Sequence, residues 1–182
     1  MSLAVLDRQL TPADEGVMTF HRWEEIHERL DGCLHSRDVH WHWSLVSLPG
    51  DRSLCLFEVA YADLVREACR EACMPFEHVW AARQSGAWDA RSLPQGSRMV
   101  VAQVRFEAPL LNEEQEEDLR RRADECFHRV DARRLTSFLS PDRSASVCLF
   151  DAPSAESVRG VYRSLALSTA RVWPAVLLRP EP

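Results

Sequence analysis

The 182-residue sequence predicts an α+β protein made of two similar halves, and three observations predict it. The tetrapeptide Cys55-Leu56-Phe57-Glu58 returns as Cys148-Leu149-Phe150-Asp151, and Val79-Trp80 returns as Val172-Trp173, each at an offset of 93. At that offset 18 of the 54 positions from Arg29 to Ala82 are identical without a gap, where unrelated sequences would match at roughly 6%, about three positions. Each half also reads strand, helix, strand, strand, helix, strand. An internal duplication is therefore expected.

The elements follow from local chemistry. Residues 3–6 form a short apolar run, a first strand. Thr11-Pro12-Ala13-Asp14 supplies an N-cap hydroxyl with proline at the first helical position. Val17, Phe20, Trp23, Ile26, His27 and Leu30 then recur at helical spacing toward Cys33. Residues 39–47 alternate, with His40, His42, Ser44 and Val46 on one strand face and Trp41, Trp43, Leu45 and Ser47 on the other. Pro49-Gly50 suits a type II turn into an antiparallel strand at 54–59. A helix over 62–73 buries Tyr61, Val65, Ala68 and Ala72, with Leu64 and Cys69 flanking, and Pro75 ends it. A strand over 76–82 completes the half, and Gly, Pro and Ser break the periodicity of residues 84–97 into a linker.

The second half repeats the order. A strand covers 99–107, and Asn112 with Gln115 three residues on forms a capping box. Leu119, Ala123, Cys126, Phe127 and Val130 line that helix's buried face. Residues 134–140 and 145–151 make a hairpin around Pro141-Asp142, Ser154 caps the last helix, and 170–178 is the last strand. This order is the ferredoxin-like, split βαβ plan, with both helices on one face of a four-stranded sheet. The expected domains are repeats at 1–83 and 98–182 joined by a linker at 84–97. Laid sheet to sheet, the repeats would form a pseudo-symmetric, barrel-like α+β unit with a ligand pocket between the sheets.

Net charge is −6 and every cation is arginine, which argues against a nucleic-acid groove and its basic face. No apolar run is long enough to span a membrane and the N-terminus carries no leader, so a cytoplasmic protein with reduced cysteines is expected. Homodimers are compatible with this.

Candidate chemistry is sparse. His40 and His42, two apart on a strand, project from one face about 7 Å apart, a spacing that could grip one nickel, copper or zinc ion. Two polar residues on a solvated strand is the plainer account. Cys33-x-His35 recurs as Cys126-x-His128, but two helical positions point to opposite faces, so buried thiols with a histidine near the helix end are expected. Cys69 and Cys73 are one helical turn apart without completing a zinc set. Trp41, Trp43, Trp80 and Trp173 would wall an apolar ligand pocket, with Arg134 and Thr136 as polar counterparts, unless they are simply core. Glu58 and Asp151 are matching strand-end acids. No nucleophile elbow, phosphate loop or HExxH motif is present.

The stretch Trp41-His42-Trp43-Ser44-Leu45-Val46, residues 55–58, the Ala62-to-Ala68 helix and the proline-led strand 75–80 resemble the small ferredoxin-like proteins catalogued as a domain of unknown function, with a nickel-binding bacterial member. The family's histidine two residues after the strand tryptophan is Trp43 here and Thr136 in the second half, and its helix-end glycine is Cys73. The resemblance implies a small-ligand or nickel-like transition-metal binding protein. By their spacing His40 and His42 are the expected ligands if a metal binds, and Trp41, Trp43, Glu58, Trp80, Arg134 and Trp173 surround an organic ligand if one does. An α+β-barrel enzyme acting on a small apolar or aromatic substrate, with Glu58, Arg134 or a histidine as proton carrier, is the alternative. A protein-interaction module is the second.

Overall fold

The computed structural model describes residues 2–10, 20–86, 88–109, 112–167 and 170–180; the side chains of residues 20, 26 and 27 lie outside that description. The order is β1 (Ser2–Gln9), α1 (Phe20–His35), β2 (His40–Ser47), β3 (Arg52–Val59), α2 (Ala62–Glu71), β4 (His78–Ser85), then β5 (Arg98–Arg105), α3 (Glu113–His128), β6 (Arg133–Leu139), β7 (Ala145–Asp151), α4 (Ala155–Ser164) and β8 (Arg171–Leu178). The expected helix start at Thr11-Pro12 and its Val17 lie outside the described residues.

The strands do not form two separate facing sheets. They hydrogen-bond in the order β1-β3-β2-β8-β5-β7-β6-β4, which closes on itself as an eight-stranded antiparallel barrel. Closure leaves no open strand edge. It comes from the ends of β4 and β8, since Arg83–Ser85 pair with Ser137–Leu139 and Ala175–Leu178 pair with Ser44–Ser47. Arg83 at the end of the expected first repeat, and Gln84 and Ser85 in the expected linker, are therefore strand. Their polar side chains gave no apolar alternation, and backbone pairing needs none.

The chain divides into two compact units. The first holds 1–82, 90–97 and 175–182; the second holds 83–89 and 98–174. In the first, Leu6, Trp23, Leu30, Leu34, Phe57, Val65 and Cys69 are among the core residues packed between the helices and the sheet. In the second, Val104, Ala123, Phe127, Cys148, Phe150 and Tyr162 occupy the same layer.

Local signals explain the helix boundaries. Asn112 accepts from Gln115 N and Ser154 accepts from Ser157 N, capping α3 and α4 as their sequences require. Tyr61 precedes α2 with extended backbone and caps nothing; its ring is 74% exposed instead of joining the buried stripe. The two short helices end alike. Met74 N donates to Cys69 O and Leu167 N to Tyr162 O, with Cys73 and Ala166 in the left-handed region at φ 51° and 59°. That is a Schellman ending, at positions where glycine costs least.

Irregularities in β2 and β6 redirect the faces. The register slips between Trp41 and Trp43 against β3, and between Arg134 and Thr136 against β7. Each slip places an extra residue, His42 or Leu135, in the outer strand, a β-bulge. Trp41 opposite Phe57 therefore faces the helices, while Trp43 opposite Leu56 faces away. The alternation that put both tryptophans on one face fails here because a bulge shifts it by one residue.

Candidate functional site

A cleft opens within the second unit, between α3 and the sheet. Its free volume is about 550 Å³, a figure that includes the solvent at its open mouth. One face of α3 supplies a wall, because Glu116, Leu119, Arg120, Ala123 and Phe127 recur at three- and four-residue spacing. The strands supply the floor through Val104, Ser137, Leu139, Ser146 and Cys148. Tyr162 of α4, with Phe106 and Leu167, closes it.

Tyr162 is held firmly. Its ring meets Phe127 edge-on at 5.4 Å between centroids and Phe150 at 6.3 Å, and those two phenylalanines lie 4.4 Å apart. Burial pushes the phenol well above its usual range, and the adjacent Cys148 thiol pushes the same way. The phenol is therefore a neutral hydrogen-bond donor over the whole physiological range.

Charge is arranged on either side. Arg134 Nη2 donates to Asp124 Oδ2 at 2.6 Å, with the arginine side chain only 14% exposed. It reaches this wall because the β6 bulge separates it from Thr136; Thr136 instead donates to Ser85 O and accepts from Gln84 Nε2. Glu116, nearly as buried, accepts from Arg83 Nη2 at 2.5 Å and has Arg143 Nε 4.0 Å away. The result is a largely apolar cleft with the Tyr162 phenol and the Ser137 and Ser146 hydroxyls in its lining and paired charges at its sides.

Of the site residues singled out from sequence, only Arg134 lines this cleft. His40 Nε2 lies 3.0 Å from Asp38 Oδ1, and His42 Nε2 lies 3.3 Å from Glu58 Oε2; both rings are exposed. Each histidine thus has its own carboxylate, and neither belongs to a converging group of three or more His, Cys, Asp or Glu side chains among the described residues. Trp41 is half-buried beside the first unit's helices, its Nε1 donating to Ser44 Oγ at 2.9 Å. Trp43 is buried on the opposite strand face, as is Trp173, whose Nε1 donates to Gln103 Oε1 at 3.2 Å. Trp80, opposite Val5, is half-buried. Asp151 is exposed beside Arg133.

The only described His, Cys, Asp and Glu side chains that converge closely enough for an ion are Asp7, Glu77 and His78, on the surface of the first unit. Among the described residues no histidine lines the cleft. Of the donor types that hold a haem iron, the described lining offers the Cys148 thiol and the Tyr162 phenol. All six cysteines are free thiols.

No family model matches the chain, and no curated protein matches it. Solved structures do. A chlorite dismutase-like protein superposes with a TM-score of 0.51 at 9% identity, over 98% of this chain and 95% of the other. An anthrone oxidase-like protein gives 0.51 at 6% identity, over 99% and 92%. An uncharacterized ferredoxin fold protein related to antibiotic biosynthesis monooxygenases, from Listeria monocytogenes 4b F2365, gives 0.43 at 10%, over 100% and 96%. At these identities the likeness is one of fold. The nickel-binding family does not appear among these neighbours, and the expected nickel-like binding protein is set aside. The two neighbours with a TM-score of 0.51 carry oxidase-like and dismutase-like names instead. No helix among the described residues is long and apolar enough to cross a membrane.

Proposed function

We propose that this protein is an enzyme acting on a small apolar or aromatic substrate in the cleft of the second unit. One observation carries the reading: an open, apolar-walled cleft whose base holds a phenol kept neutral by burial. Apolar walls with a few fixed polar groups are what a small organic substrate requires. A buried phenol donates a hydrogen bond to a substrate oxygen where charge builds up. Tyr162 has that role, and the rings of Phe127 and Phe150 fix its direction. The names of the two neighbours with a TM-score of 0.51, oxidase-like and dismutase-like, agree with an enzyme.

The experiment is incubation of the purified protein with a small-molecule extract, followed by mass spectrometry. The reading expects an apolar or aromatic compound to be consumed by the native protein and spared by Tyr162→Phe and by Ala123→Trp, which blocks the cleft. Equal consumption by Ala123→Trp would place the reaction elsewhere, and no consumption by any form would remove the enzyme.

The same reading takes the chain as a tandem duplication of one ferredoxin-like repeat. Left-handed residues recur 93 positions apart at Asp38 and Asp131, Gly50 and Arg143, and Cys73 and Ala166, which supports it.

A further inference from the structure

We propose that the cleft selects small apolar monocarboxylates, the carboxylate held by Arg134 and the apolar body by Leu119, Phe127 and Leu139. The inference rests on the cleft being the substrate site, and it names the substrate class.

Arg134 is the least exposed of the four guanidiniums at this wall, 14% against 28% for Arg143 and more for Arg120 and Arg83. Its Nη2 donates to Asp124, while Nε and Nη1 have no hydrogen-bond partner among the described residues. The other three also pair with carboxylates, Arg83 with Glu116, Arg143 with Glu113 and Glu116, and Arg120 with Glu117, but lie more open to solvent. A guanidinium binds a planar carboxylate bidentately through Nη2 with either Nη1 or Nε, and the second Nη2 hydrogen is left for this beside Asp124. At 14% exposure the guanidinium is shielded enough for that pair to outlast competition from water.

The surrounding charge sets the valence. Asp124 already offsets Arg134, and Glu116 is a second carboxylate on the cleft lining, with Arg120 as the other lining cation. A single negative charge needs only the uncommitted Arg134 donors, whereas a phosphate dianion would meet Asp124 and Glu116 and would have to draw Arg120 away from Glu117. The body is set by the walls: Leu119, Phe127 and Leu139 offer an apolar stretch, with the Tyr162 phenol and the Ser137 and Ser146 hydroxyls beyond it. A polar or sugar-like body would leave hydroxyls unpaired against that stretch.

Isothermal titration of the full chain with 2-naphthoate, its neutral analogue 2-naphthalenemethanol and the dianion 2-naphthyl phosphate tests this. The naphthoate should bind tightest. Arg134→Gln should weaken naphthoate at least tenfold and leave the alcohol within twofold, so the alcohol reports that the cleft still exists. Asp124→Asn, which frees the whole fork, should tighten naphthoate severalfold, a gain that a structural ion pair would not give. Equal weakening of both ligands in Arg134→Gln, weaker naphthoate binding in Asp124→Asn, tighter binding of the phosphate, or no binding of any of the three would each overturn the proposal. Turnover is not read in this assay. A protein that binds naphthoate through Arg134 but consumes nothing defeats the enzyme alone; one that consumes a neutral substrate and ignores naphthoate defeats only the carboxylate.

Discussion

Between the helices and sheet of the first unit stand Arg8, Trp23, Trp41 and Met74; at the matching places in the second stand Val104, Glu116, Arg134 and Leu167. The two layers share their frame. Ser44, Ser53, Cys55 and Leu34 answer to Ser137, Ser146, Cys148 and Phe127. What differs is bulk and charge. Trp23 is wholly buried over Arg8, its ring centroid 6.0 Å from the guanidinium carbon. Replacing an indole by the shorter Glu116, and a second indole by Arg134, leaves space that the second unit does not refill. Where the described first layer holds two indoles the second holds a cleft, and that half is the one equipped to hold a ligand.

The sharpest way to break this contrast is to cut both layers at the same position. Trp23→Ala should cost about 3–5 kcal/mol, the range for emptying a fully buried aromatic site. Glu116→Ala should cost under about 1 kcal/mol, since its ion pairs lie at the edge of a cleft. Urea unfolding measures both, and equal losses would mean the second layer is packed like the first.

Arg8 is the next point of strain. It is 4% exposed, Nη2 reaches only Met74 Sδ at 3.9 Å, and Nε and Nη1 have no partner among the described residues. Burial pushes its pKa down, with the Cys55 and Cys69 thiols beside it opposing, while burial pushes Cys69 up to about 11. A buried cation without a counter-charge is costly, so Arg8→Met should raise stability by about 1–3 kcal/mol. A loss of that size in thermal or urea unfolding would show that the guanidinium is compensated.

Smaller effects test whether the halves are equivalent where the frame is shared. Cys73→Gly and Ala166→Gly relieve a left-handed side chain at the same helix ending, and each should stabilise by about 1 kcal/mol. A gain in one and a loss in the other would separate the two endings. The hairpin serines test it at acid pH. Ser47 Oγ donates to Asp51 and accepts from Asp51 N and Arg52 N; Ser140 does the same with Asp142, Ser144 N and Ala145 N. These bonds hold both carboxyls below their usual range. A lowered folded pKa gives stability that is present above the unfolded value of 3.8 and is lost as pH falls through the folded one. Ser47→Ala should therefore cost about 1 kcal/mol near neutrality, and the difference from native should shrink below pH 3.8. A cost that grows on acidification would contradict the assignment.

Much of the frame was legible in the residues. The repeat CLFE/CLFD marked β3 and β7, and Asn112 and Ser154 announced their helices, because caps and alternation are local signals. The bulges were not legible. Nothing in Trp41-His42-Trp43 or Arg134-Leu135-Thr136 distinguishes a strand from a strand with one extra residue, since the slip is decided by the partner strand. That single shift moved Trp41 and Arg134 to the helix side and away from Trp43 and Thr136. The cleft was missed for a related reason: Ala123, Phe127 and Cys148 read as ordinary core. The available signal was the exchange of Trp23 for Glu116 and Trp41 for Arg134 at the offset of 93, two large rings lost from one layer.

Methyl-detected NMR during titration with 2-naphthoate is the most direct test of the central claim that the second layer is hollow and the first is filled. Shift changes confined to Val104, Leu119, Ala123 and Leu139, with Leu30, Leu34 and Val46 unmoved at saturation, are the predicted result. Changes at the first set and the second alike, or at neither, would contradict it.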